Sequence, residues 1–142
     1  MAEQVLRRYL ANAGLADAVD VASSGLRAAD PGGPADPRAV AALAARGYGN
    51  RHAGRQFELD MFSRYDLIVA LDTGHQELLR EVAPDGASAA KVVLLRSFDP
   101  ACDGALDVPD PVRGGAADYE RVLRMIEAAA PGIVTAVRGP RG

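Results

Sequence analysis

The chain has 142 residues, 49% of them hydrophobic, and a formal net charge of −3. That length suits one domain with one core, and so mild a charge excludes a basic nucleic-acid-binding field or a charged tail. No apolar run reaches bilayer length, residues 1–15 carry charges that exclude a secretory signal, and the single cysteine, Cys102, excludes an intramolecular disulfide, so a cytoplasmic location is expected.

The first ten residues, MAEQVLRRYL, read as an amphipathic helix with Val5, Leu6, Tyr9 and Leu10 on one side. It is expected to run from Ala2 to Ala13 and to stop at Gly14. A short strand is expected around Ala18–Ala22, opening into a Pro- and Gly-rich loop over 27–38. Asp36-Pro37 is a helix start, Asp at the N-cap and Pro at the first helical position, and that helix ends at Gly47. Residues 48–57 read as irregular and 58–65 as a short helical turn.

DLIVALD (66–72) is the clearest strand, its continuous apolar core Leu67–Leu71 fitting burial on both faces. Thr73 is a plausible cap for a helix to about Val82, and KVVLLRSF (91–98) reads as a second buried strand. A polar loop over 99–115 leads to a periodic helix over 116–130, with Tyr119, Val122, Leu123, Ile126 and Ala130 on one face and Pro131-Gly132 as its stop. Helices alternating with three strands imply a parallel sheet covered on both faces. Such a sheet usually begins with a strand, and its ligand site lies outside the strands' carboxyl ends. Here the first predicted element is a helix.

Several stretches in order carry a resemblance. They are MAEQVLRRYLANAGL, VASSG, DPRAVAALAARGY with HAGRQF, DLIVALD, FDP…LDVPDPVRGG and DYERVLRMIEAA. Over nearly its whole length the chain resembles low-molecular-weight protein tyrosine phosphatases. The resemblance implies an α/β three-layer sandwich with a parallel sheet, the phosphotyrosine phosphatase I-like fold. It also implies a single domain over 1–142 that is N-terminally truncated, because the family's signature is a strand, then C-x5-R-S-P, then M-A-E, and this chain begins at M-A-E. In the family that strand is central in the sheet, so its loss would leave unpaired backbone groups and an exposed apolar face.

The chemistry the resemblance implies needs a thiolate nucleophile, backbone N–H groups at a helix N-terminus, a bidentate Arg and a carboxylic acid that protonates the leaving oxygen. The position six residues after Cys102 is Val108, not Arg, so the chain contains no C-x5-R motif and no candidate nucleophile; Cys102 reads as an incidental loop thiol. Asp110 in PDPV corresponds to the general acid, while Asp99 in FDP reads as a turn residue. Ser23 corresponds to a serine that supports the phosphate loop from beneath. His52 corresponds to a histidine that pairs with the glutamate of M-A-E, here Glu3, and Arg55 to a structural arginine. Asp72 ends the best strand at the rim of the site, or caps the following helix. Val112 and Arg113 also lie on the rim.

Three departures bear on the substrate. Ala28 and Ala29 stand near a usual aromatic position, the family's D-P-Y-Y is Asp110-Pro111-Val112-Arg113, and Ala22 stands where the family has Asp. Each lost aromatic contact to a phosphotyrosine ring is worth about 0.5–1.5 kcal/mol. The implied partner is a phosphotyrosine protein or a small phosphomonoester, with no metal, no cofactor, no nucleic acid and no membrane. An arsenate reductase variant of the fold would need further cysteines. The expectation is a phosphatase-like phosphoric monoester hydrolase that is inactive as this chain stands. The alternatives are a non-catalytic phosphatase-like binding protein and, more remotely, an unrelated flavodoxin-like binding module.

Overall fold

The structure is a computed structural model that describes residues 1–24, 37–48, 56–102, 104–111 and 114–138. Helix α1 (Ala2–Asn12) buries Val5, Leu6 and Leu10, the stripe expected from its period. It closes in a Schellman motif: Leu15 N–H donates to Leu10 C=O at 2.8 Å and Gly14 N–H to Ala11 C=O at 3.1 Å. Gly14 takes φ +76°, which a side chain would resist. The same pattern at Gly47 closes α2 (Pro37–Ala45), Tyr48 N–H reaching Leu43 C=O at 3.0 Å.

Between these helices the expected strand at Ala18–Ala22 is not formed. Residues 19–24 have no strand pairing, and a strand is defined by its ladder rather than by apolar content. The short helix α3 (Met61–Arg64) falls within the helical turn read from the sequence. Strand β1 (Ile68–Ala70) pairs in parallel with β2 (Val92–Leu94), Val69 opposite Val93. Among the described residues the sheet therefore has two strands, not three.

β1 supports packing on both faces. Leu67, Val69 and Leu71 pack on a cluster built from α1, α2 and the last helix, and Ile68 and Ala70 join the opposite cluster with Phe62, Leu79, Val92 and Leu94. The alternation is that of a strand with an apolar layer on each side. Between the strands lie α4 (Thr73–Val82) and a short helix absent from the sequence reading, α5 (Gly86–Ala90), whose N-cap Asp85 accepts from Ser88 N–H at 2.7 Å. That bond holds the Asp85 carboxyl below its usual range. The second strand is shorter than expected because Leu95–Phe98 turn into a 3-10 helix.

The final helix, α6 (Ala116–Arg138), runs through Pro131 and Gly132 rather than ending there. It carries the larger core: Leu123, Ile126, Ala129 and Ala130 are essentially inaccessible, and Ile133 and Val134, beyond the proline, are buried as well. α6 is also tied to α2. Arg46 bonds Glu120 and Glu127, and Tyr48 Oη donates to Glu127 at 2.7 Å. Burial, then the bond to Glu127, push the Tyr48 phenol well above its ordinary value. A raised folded-state pKa favours the protonated phenol. The stabilisation is therefore complete below the ordinary tyrosine pKa near about 10 and is lost as pH climbs above it. Tyr48→Phe is expected to cost about 1.5 kcal/mol in urea unfolding at neutral pH and to flatten the alkaline loss of stability.

Candidate active site

At the carboxyl end of β1 three pieces of chain converge. Asp72 caps α4, accepting from His75 N–H at 2.7 Å, and its other oxygen lies 3.3 Å from His75 Nδ1. The 105–111 segment is pinned beside it: Val108 N–H donates to Leu71 C=O at 2.8 Å, and Asp107 Oδ1 accepts from Thr73 N–H at 2.8 Å. Val108 is 4% exposed and plugs the larger core, which makes it the anchor of the segment. Asp110 follows two residues later and is exposed.

The far end of the loop is held too. Gly114 N–H donates to Pro111 C=O at 2.8 Å, Arg38 donates to Gly114 C=O at 2.6 Å, and the Arg38 guanidinium stacks 4.9 Å from the Tyr119 ring centre. Asp118 accepts from Gly115 N–H at 3.0 Å and so caps the start of α6.

Glu3 and Ser23 meet directly, Ser23 Oγ donating to Glu3 Oε1 at 2.8 Å. Glu3 also pairs with Arg7 at 3.1 Å, and Arg7 in turn donates to Val21 C=O at 2.7 Å. The segment after α1 is thus stitched to the first turn of α1. His52, Arg55, Val112 and Arg113, with Ala28 and Ala29, lie outside the described residues.

Of the readings open from sequence, Asp72 is a helix cap that stands at the strand's end. Asp99 is a turn residue, accepting from Ala101 N–H at 2.9 Å. Cys102 Sγ donates to Ala105 C=O at 3.6 Å in that same turn. Sequence reasoning passed over Asp107. Its signal was the pair of apolar neighbours around it, Leu106 and Val108, which marks an anchored rather than a solvated loop. Among the described residues no three metal-ligating side chains cluster, and no helix is long and apolar enough to cross a membrane.

A parallel α/β sheet whose carboxyl end gathers a helix N-terminus and an anchored Asp-Pro loop is the layout of a doubly wound α/β scaffold, in which ligands sit outside the carboxyl ends of the strands. The family model for low molecular weight phosphotyrosine protein phosphatases matches residues 1–140, and the chain belongs to that family. It is 52% identical to a low molecular weight protein-tyrosine-phosphatase of Streptomyces coelicolor, over 97% of this chain and 85% of the relative. It is 43% identical to low molecular weight protein-tyrosine phosphatase A of Mycobacterium tuberculosis, over 94% and 80%. A solved protein tyrosine phosphatase of Entamoeba histolytica, with Hepes in its active site, superposes with a TM-score of 0.91 at 25% identity, over 96% of this chain and 86% of that one.

Proposed function

We propose that this chain, as a single domain, is the scaffold and acid half of a cysteine-dependent tyrosine phosphatase, and that alone it hydrolyses no phosphomonoester. Asp110 is the general acid: it protonates the leaving phenolate oxygen, and its carboxylate then activates the water that cleaves the cysteinyl phosphate. Glu3, Ser23 and His52 support the phosphate loop, while Asp72, Val112 and Arg113 form the rim. The observation that carries the reading is the anchoring of Asp107 and Val108 at the end of β1, which holds Asp110 in a fixed loop at the expected end of the sheet.

The sequence supplies neither the thiolate nor the bidentate Arg, since no C-x5-R occurs in it. Both are needed to attack phosphorus and to neutralise the charge that develops on it. The substrate class is phosphotyrosine protein or a small phosphomonoester, in the cytoplasm. Val112 in place of an aromatic favours a less ring-dependent substrate. The test is the 142-residue chain with p-nitrophenyl phosphate: release of p-nitrophenol at the blank rate is expected, and vanadate-sensitive turnover by this chain overturns the reading.

A further inference from the structure

Asp110 lies between the buried plug Val108 and the turn residue Gly114, so the loop that carries it has two holds. The first ties it to the end of β1 through Val108 and Asp107. Alone it is not enough. The step from Val108 to Asp110 spans up to about 7 Å of chain, whereas a proton donor must come within about 2.6–3.2 Å of the oxygen it serves. A loop free to pivot about Val108 would carry the carboxyl out of range, so the second hold decides where it stands.

That second hold is built around Gly114. Its N–H donates to Pro111 C=O at 2.8 Å, closing the turn that Asp110-Pro111 begins. It packs so closely on Asp118, which caps α6, that a Cβ there would stand 2.1 Å from the Asp118 carboxylate. Its C=O accepts from Arg38 Nη1 at 2.6 Å, a bond that reaches it from α2, 76 positions away in sequence. The donor carries a full charge, which makes such a bond about twice as strong as a neutral one. The guanidinium is itself fixed, 4.9 Å from the ring centre of Tyr119, which is 3% exposed. α2 does not need this contact for its own place: Ala42 and Leu43 are buried in the larger core, and Arg46 ties the helix to Glu120 and Glu127 of α6.

We propose that Arg38 is a positioning residue for the general acid. Clamped between Tyr119 and the Gly114 carbonyl, it holds Asp110 where its proton can pass to the leaving phenolate oxygen. The proposal rests on Asp110 being that acid. Arg38 acts through the loop and not on the phosphate, so its effect disappears when the acid is removed.

The test has two arms. In the 142-residue chain, Arg38→Met keeps the apolar stem and removes the charged donor; amide exchange is expected to quicken at Gly114 and to stay unchanged across β1 and α4. In the chain joined behind an apolar strand and a Cys-x5-Arg-Ser-Pro loop, Arg38→Met is expected to lower kcat for phenyl phosphate about tenfold, part of the about 10²–10⁴-fold that a general acid supplies. KM is expected to stay unchanged, and the loss to be smaller for p-nitrophenyl phosphate, whose leaving oxygen needs less help. In an Asp110→Asn background the same substitution is expected to change kcat by less than about twofold, because residues that act through one another do not add. Equal losses with and without Asp110, equal losses on both substrates, a loss confined to KM, or unchanged Gly114 exchange overturns the inference. So does exchange that quickens throughout the chain, which makes Arg38 a general structural tie. A joined chain without turnover, or one in which Asp110→Asn costs the same on both substrates, removes the acid reading and this inference together; a leaving-group-dependent Asp110→Asn loss without coupling to Arg38 removes the inference alone.

Discussion

Joined behind an apolar strand and a Cys-x5-Arg-Ser-Pro loop, the chain is expected to hydrolyse p-nitrophenyl phosphate, and Asp110→Asn in that fusion to lower kcat by about 10²–10⁴-fold. That factor corresponds to about 2.7–5.5 kcal/mol of transition-state stabilisation, far more than any exposed side chain contributes to folding. It can be separated from a structural effect. Loss of a proton donor hurts most where the leaving oxygen is most basic, so Asp110→Asn is expected to cost more with phenyl phosphate than with p-nitrophenyl phosphate. Asp107→Asn supplies the contrast. It weakens the bond to Thr73 N–H that anchors the loop, and should lower kcat for both substrates by the same factor while also lowering the melting temperature. Equal losses for Asp110→Asn on both substrates would remove Asp110 from the acid role.

The anchoring of that loop separates what the sequence discloses from what it withholds. α1 and α2 were legible because their stops are local chemistry: a glycine at φ near +77° and two short-range N–H bonds need no distant partner. β1 was legible because an apolar run at Leu67–Leu71 has only one comfortable environment, between two layers. Residues 18–22 have similar apolar content, but Ala18 closes a turn on Leu15 and, among the described residues, no strand pairs with 19–22. Pairing is a long-range property that no window of sequence contains. Asp72 kept two readings for a related reason, since capping α4 and standing at the mouth of the sheet are the same position in a doubly wound fold. Asp110 was recognisable from its context, but what holds it, Val108 on Leu71 and Asp107 on Thr73, joins residues more than thirty positions apart.

Gly132→Ala is expected to destabilise the chain by about 1 kcal/mol net, lowering the thermal midpoint by roughly 2–4 °C. Two effects compete. Alanine is the better helix former by about 1 kcal/mol, and on that ground alone the substitution would stabilise. A Cβ at Gly132, however, would stand 2.5 Å from the Phe98 carbonyl oxygen and 3.0 Å from Phe98 Cβ. The nearest atom is backbone, so no side-chain rotation relieves the contact. Phe98 ends the 3-10 helix that follows β2 and holds Leu95, which is 0% exposed, so moving it disturbs the core. Overpacking of this kind costs about 1–3 kcal/mol and outweighs propensity. The same reasoning explains why α6 crosses Pro131. A proline inside a helix costs about 3 kcal/mol, but stopping there would expose Ile133 and Val134, each worth about 1.5–3 kcal/mol when buried, and would lose the Arg138 bond to Ala13 C=O at 3.3 Å. Pro131→Ala should therefore raise the midpoint while the neighbouring Gly132→Ala lowers it. A rise for both in calorimetry would mean that α6 does not approach Phe98 this closely.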